Sequence, residues 1–203
     1  MPRSSLSLEP QNSNVTRQES DHVCGTRITL RPATTDDRRN IYMLLVASNV
    51  TASMMGPPTF PEVPIPTWDE FFGDYAPHFF DGSRPHCGCS FIIEVDGKAV
   101  GHINYDGLDP ERSIAELDIW MRSQSCCGHG YGTDAMVALM RHLHANFAVD
   151  TFIVRPSRRN QRAIRAYEKA GFLASRLSLA DRTSTYGDGD YSDTITLERK
   201  MSA

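Results

Sequence analysis

Glu116 and Asp118 stand two residues apart in "IAELDIWM". In a strand the period of two puts them on one face with Trp120, while Leu117, Ile119 and Met121 take the other. Neighbouring carboxylates suit proton abstraction, because each charge opposes ionisation of the other and lifts a pKa toward neutrality. A positioned base is worth about 100- to 10,000-fold in rate. Amine nucleophiles need that help: at pH 7 an alkyl amine of pKa about 10.4 is about one part in 2,500 neutral, a deficit of roughly 4.6 kcal/mol. The structural alternative is that these carboxylates hold salt bridges to the arginine-rich stretch that begins at Arg155.

A second constellation follows at once. "CCGHGYGTDAM" places Gly128, Gly130 and Gly132 immediately before a helical pattern. Unpaired amides at a helix start, with about half a positive charge from the helix dipole, attract anions, and glycines let a phosphate approach the backbone. The stretch lacks the lysine of a Walker loop, and its third glycine arrives too early for a dinucleotide fingerprint. A helix start also lowers a thiol pKa, the one argument for a reactive Cys127. Further on, Arg158, Arg162, Arg165 and Lys169 share a helical face, and one or two of them near the loop would add charge for phosphates.

The elements that must position these groups are legible as patterns. "TRITLRPAT" alternates as a half-buried strand, and "DDRRNIYMLLVASN" follows as a helix with Ile41, Leu44 and Leu45 on one stripe. "SFIIEVDGKAVGHINYDG" reads as a hairpin turning at Asp96-Gly97, and "SIAELDIWM" as a strand running toward the glycines. From Thr133 to Phe147 the residues Met136, Leu139, Met140, Leu143 and Phe147 form one buried helical face. "DTFIVRP" is a strand stopped by Pro156, and "NQRAIRAYEKAGF" a helix with Asn160 at its start and Gly171 capping its end. "YSDTITLERK" closes the chain as a strand, the second of a final pair. Its exposed edge would permit a homodimer.

Residues 1–24 are polar and without hydrophobic period, so a flexible tail is expected there, with one mixed α/β domain over 25–203. Between Arg39 and Arg84 the chain has no Lys or Arg, and its acids lie among aromatics and six prolines. That composition predicts an irregular covering loop with a short helix around "TWDEFFGDY". A net charge of −4 over 203 residues gives no global basic field, so nucleic acid is not an expected partner. No apolar run approaches the ~18 residues of a membrane span, and no signal-peptide pattern opens the chain, so a cytoplasmic protein is expected. Five cysteines without framework spacing predict no disulfides, and Cys87-x-Cys89 beside His86 lacks the second pair of a zinc site, so no metal is expected.

The glycine loop opening a helix, together with "VRPSRRNQRAIRAYEKAGF", closely resembles the GNAT superfamily of acetyl-CoA-dependent N-acetyltransferases over about residues 26–200. The resemblance implies the GNAT fold, a mixed central sheet flanked by helices. It puts the pyrophosphate of acetyl-CoA on Gly128, His129, Gly130, Tyr131, Gly132 and Thr133, and the pantetheine arm on Asn160 beside Ile119 and Met121. Tyr167 would be the proton donor to the leaving thiolate, and a backbone amide near Ile119 would stabilise the developing oxyanion. The motifs are most similar to those of aminoglycoside 6'-N-acetyltransferases, which makes Asp118 the base, with Glu116 second. Trp68, Asp69, Tyr105 and Asp118 are the residues expected to meet the acceptor, a primary amine of a small cationic molecule, aminoglycoside-like or polyamine-like, attacking directly in a ternary complex. Three departures stand out. Cys127 occupies a position usually Gln or Arg, the loop before the catalytic strand is the short "DGLDPERS", and Arg155 stands where an aspartate meets the drug's amines. "AELDIWM" and "GDGDYSDTITLER" are also similar to N-terminal alanine and spermidine acetyltransferases, and a non-catalytic acyl-CoA-binding module is the alternative from another class.

Overall fold

The computed structural model describes residues 21–52, 65–109, 111, 113–187 and 193–201. In chain order the elements are β1 (Val23–Cys24), β2 (Thr29–Pro32), α1 (Arg38–Ala47), α2 (Trp68–Asp74), α3 (His78–Asp81), β3 (Gly88–Val95), β4 (Lys98–Asp109) and β5 (Ile114–Met121). They continue with α4 (Tyr131–Phe147), β6 (Thr151–Val154), α5 (Gln161–Lys169), β7 (Leu173–Ala174), α6 (Leu179–Tyr186) and β8 (Leu197–Lys200). The described strands form one sheet in the order β1-β2-β3-β4-β5-β6-β8-β7. All neighbours are antiparallel except β5 and β6.

Alternation along the strands divides the core in two. Phe91, Ile93, Ile103 and Leu117 point into one cluster with Met136, Leu139, Met140 and Leu143, the predicted stripe of α4. Ile92 and Trp120 point the other way, into a cluster with Ile41 and Leu45 of α1 and with Phe71, Phe79 and Phe80 of α2 and α3. The sheet therefore carries helices on both faces, as patterns of periods two and 3.6 require when each must bury its apolar side. At the β3–β4 turn Asp96 and Gly97 take φ of 49° and 70°, the doubly left-handed geometry of a tight hairpin.

Three local devices aim the functional segments. Thr67 and Glu70 form a reciprocal capping box at the start of α2, the signature of Thr-x-x-Glu before an apolar run. At the other end of that helix the buried Arg38 guanidinium donates to the carbonyls of Phe72, at 2.6 Å, and Tyr75. It also stacks 3.5 Å from the Phe72 ring centroid, so the aromatic segment is clamped onto α1. The end of α5 is a double turn: Gly171 N–H donates to Glu168 C=O at 2.9 Å and Phe172 N–H to Tyr167 C=O at 3.0 Å. The φ of +90° at Gly171 makes that reversal possible.

Three expectations change. Val23–Cys24 already pairs with β2, so the sheet takes in the last two residues of the segment read as a tail; residues 1–20 lie outside the described residues, as do 53–64 of the covering loop. A helix, α6, separates the final pair of strands. It buries no residue, so no hydrophobic stripe announced it, although the Ser178 cap, which accepts from Asp181 N–H, is visible as Ser-x-x-Asp. The last strand is not an edge: β8 lies between β6 and β7, so β7 holds the sheet margin.

Fully buried His102 packs against Trp120 with ring centroids 4.9 Å apart. Among the described residues neither of its ring nitrogens has a hydrogen-bond partner, and burial pushes its pKa down to about 3. The unfolded chain therefore binds a proton below about pH 6.5 that the native state refuses, and stability falls as pH drops from there toward 3, by at most about 1.4 kcal/mol per unit. Urea unfolding at pH 7 and pH 5 should show this loss, and His102→Gln should remove that part of it. An unchanged pH slope in the variant would show that His102 is not its source.

Candidate active site

Parallel strands β5 and β6 pair only at Ile114, Ala115 and Glu116, opposite Thr151, Phe152 and Ile153. β6 stops at Val154, and Pro156, without an N–H, cannot extend the ladder. β5 runs on to Met121, and its far end opens into a cleft of about 350 Å³ between the starts of α4 and α5. Asp118, Ile119 and Met121 line it from β5, and Gly128, Gly130, Tyr131, Gly132 and Thr133 from the turn before α4. Asn160, Arg162, Arg165, Tyr167 and Lys169 close the α5 side.

The glycine turn is shaped by its backbone. Gly128 and Gly130 both take φ of +83°, a region costly for side chains with a Cβ. Among the described residues a Cβ on Gly128 would meet nothing within 4 Å, and one on Gly130 would approach only Arg27, at 3.5 Å; the conformation, not crowding, requires glycine. Gly130 is the N-cap of α4 and no side chain among the described residues caps that end, so first-turn amides face the cleft with the positive end of the helix dipole behind them. The acid of that first turn is drawn aside: Asp134 accepts from the N–H groups of Thr26 at 3.0 Å and Arg27 at 2.6 Å. Arg27 also donates to the His129 carbonyl at 2.9 Å, and Thr133 Oγ1 donates to the Ala166 carbonyl at 3.2 Å. The turn is thus fastened to the N-terminal segment and to α5, with Arg162, Arg165 and Lys169 supplying positive charge opposite. These features fit a phosphate-bearing ligand.

Asp118 is reached by solvent through the cleft, yet the protein around it displaces enough water to raise its carboxyl pKa above the ordinary range. The Ile119 N–H, which donates to Asp118 Oδ1 at 2.8 Å, works in the opposite direction. That amide, expected to stabilise an oxyanion, is therefore engaged by Asp118. Tyr167 is 7% exposed; burial, and then the nearby Asp118 charge, hold its phenol proton in place. The pair has the two states acid–base chemistry needs, a carboxylate made more basic and a phenol kept protonated. Asn160 uses its Oδ1 to cap α5, accepting from Ala163 N–H at 3.1 Å, which leaves its NH2 group to serve the cleft.

Other expected site residues lie elsewhere. Glu116 faces Arg155 at 3.4 Å, the structural alternative noted above, and Arg155, which also donates to the Tyr186 carbonyl at 2.8 Å, is turned away from the cleft. His129 does not line the cleft; its ring stacks on Tyr131 and meets the Ser125 carbonyl at 3.1 Å. Tyr105, 2% exposed, belongs to the α4-side core and donates to the Pro85 carbonyl at 2.8 Å, on the sheet face opposite Asp118. Trp68 packs on Tyr42, Phe71 and Arg39 and Asp69 is exposed on the first turn of α2, neither of them in the cleft. Burial raises the Cys127 thiol pKa despite Arg162, against a reactive thiolate. Sequence reasoning missed Tyr75, which packs on Trp120 at 5.8 Å and whose phenol feels first burial, then the Asp118 and Asp106 charges. Among the described residues no group of three His, Cys, Asp or Glu is arranged to hold a metal ion, and no helix is long and apolar enough to cross a membrane.

Comparison with solved structures returns this architecture repeatedly. Aminoglycoside acetyltransferase AAC(6')-Ib, in complex with paromomycin and acetyl-CoA, superposes with a TM-score of 0.63 at 21% identity, covering 86% of this chain and 93% of that one. RimL, a ribosomal L7/L12 alpha-N-protein acetyltransferase bound to coenzyme A, gives 0.65 at 18%, covering 89% and 98%. Spermidine N-acetyltransferase from Vibrio cholerae, with CoA and spermine, gives 0.63 at 18%, covering 86% and 95%. At these identities they show a shared fold. No curated protein matches the chain. The model of the acetyltransferase (GNAT) domain matches residues 27–173, from just before β2 through the cleft to the start of β7, and the chain belongs to that GNAT acetyltransferase family.

Proposed function

We propose that this protein acetylates a primary amine of a small cationic acceptor, aminoglycoside-like or polyamine-like, by direct attack on the thioester in a ternary complex. The observation that carries the reading is the placement of Asp118 and Tyr167 in one cleft beside the uncapped glycine turn, with the Asp118 charge felt at the Tyr167 phenol. The acidic, aromatic composition of the neighbouring α2 and α3 segment supports a cationic acceptor. The Arg155 charge that would repel one is matched by Glu116.

Acetyl-CoA supplies the thioester carbonyl that is attacked and the sulfur that leaves. The amides of Gly128 and Gly130–Thr133 hold the pyrophosphate, helped by Arg162, Arg165 or Lys169, and the open edge of β5 with the Asn160 NH2 group receives the amide-bearing arm. Holding both reactants side by side removes a large entropic part of the barrier. Asp118 takes the proton the nitrogen must lose, directly or through water. Tyr167 donates one to the departing sulfur, and solvent returns the proton balance between the two side chains.

Asp118→Asn should lower kcat at least about 100-fold with little change in acetyl-CoA affinity, read by thiol release against a panel of aminoglycosides, polyamines and peptides. In the wild type kcat/KM should fall as pH drops through a pKa above the ordinary carboxylate value, since the base must be ionised, and the variant should lose that limb. Unchanged turnover removes Asp118 from the role, and cofactor binding without acetylation of any panel amine supports a non-catalytic module. Gly130→Val, forced to φ near +83°, should weaken acetyl-CoA binding by about tenfold or more in calorimetry of the folded variant. Wild-type affinity there would place the pyrophosphate elsewhere.

A further inference from the structure

The sheet face that carries Asp118 continues beyond it. In the β4–β5 register Asn104 stands opposite Asp118 and Asp106 opposite Glu116, so Asp106 is the diagonal neighbour of Asp118, about 7–8 Å away. The three acids of this face have different surroundings. Glu116 is matched by Arg155 at 3.4 Å, Asp118 lines the cleft, and Asp106 is half-screened by burial, accepts from the Gly107 amide and feels the charge of His78 at the start of α3. Asn104, directly opposite Asp118 and two residues from Asp106 on β4, is 6% exposed, and its Oδ1 has no hydrogen-bond partner among the described residues. Next along the same face His102 stands opposite Trp120, and there the ring of Tyr75 packs on Trp120 at 5.8 Å and on His102 at 6.3 Å, kept there by the Arg38 clamp on its carbonyl.

Such a surface offers acceptors and π faces and calls for a donor. An ammonium group brings three N–H donors and a positive charge, which suit an amide oxygen, two carboxylates and aromatic rings together. A neutral alkyl group in the same place would leave Asn104 Oδ1 without a partner, and an anion would be repelled.

We propose that Asp106, Asn104 and Tyr75 form a second acceptor subsite beside Asp118 that binds another ammonium group of the acceptor, so that the protein selects molecules with two protonated amines. This rests on the reading of Asp118 as the base toward a primary amine. A separation of about 7–8 Å corresponds to roughly four or five methylenes at ordinary bond lengths. The same spacing occurs between amines of a linear diamine and between amines of a diamino sugar.

The test compares binding of 1,5-diaminopentane, pentylamine and kanamycin to the CoA-loaded protein by calorimetry, alongside acetylation of each. The diamine should bind at least about tenfold more tightly than the monoamine, and Asp106→Asn should reduce that ratio to within about threefold, as expected for loss of a charge-assisted contact. Asn104→Ala should reduce it in the same way, which keeps the test open should Asp106→Asn fail to fold. CoA affinity and thermal unfolding report folding of both variants. Tighter binding of the linear diamine or of kanamycin identifies which source of paired amines the subsite suits. Equal binding of diamine and monoamine by the wild type, or a preference that survives both variants, overturns the subsite. Acetylation of all three amines without a diamine preference would leave the acetyltransferase reading standing and the subsite refuted. A diamine preference lost in the variants, with no amine acetylated, would leave the subsite standing and refute the reading of Asp118.

Discussion

The separation of β5 from β6 after Glu116 is the constraint on which the site depends. Two parallel strands that stayed paired would bury the backbone of Ile119 and Met121 within the ladder. Here Pro156 ends that possibility on one side, and β5 runs on to Met121 without β6. Everything in the cleft follows from that opening: the exposed strand edge, the start of α4 on one wall and α5 on the other. The opening is held by contacts remote from the chemistry. Thr133 reaches the Ala166 carbonyl, and Ser48 Oγ at the end of α1 donates to the Arg122 carbonyl at 2.7 Å, so the turn beyond β5 is fixed from both sides of the sheet.

Electrostatics divide the cleft along its length. At the glycine turn, uncapped amides and the cations of α5 create a positive end without burying a charge. At the other end desolvation dominates, raising Asp118 above and keeping Tyr167 protonated. The aromatic segment that covers this end is fastened by Arg38 rather than by apolar packing alone, since a guanidinium satisfies two carbonyls at the end of α2 that would otherwise lack donors. Fold and candidate site therefore share parts: the clamp that closes the second core also sets Tyr75 above the sheet face that carries Asp118.

Much of this was legible in the sequence, for physical reasons. The α4 stripe, the Asp96-Gly97 hairpin and the Asn160 and Gly171 ends of α5 are local patterns with local causes. The glycine turn was legible too, because positive φ at two nearby positions leaves few residues to choose from. What needed the structure was parity and partnership. Tyr105 and Asn104 differ by one position, and only the β4–β5 register, which sets Asn104 opposite Asp118, decides which of them shares its face. Glu116 was read as a second base or a salt-bridge partner, and the contact with Arg155 that favours the second depends on how two strands converge. Trp68 and Asp69 share a helix with the segment leading to Tyr75, but the turn at Tyr75 carries the ring to Trp120 while Trp68 stays over α1.

The central claim, that the open end of β5 and the uncapped turn before α4 together hold acetyl-CoA, is tested most directly by titrating the 15N-labelled protein with CoA and following its backbone amide resonances. The account predicts that the largest shifts fall on Gly128, Gly130–Thr133 and Asp118–Met121 and saturate together. Shifts concentrated elsewhere on the sheet, with these two segments unmoved at saturation, would contradict it.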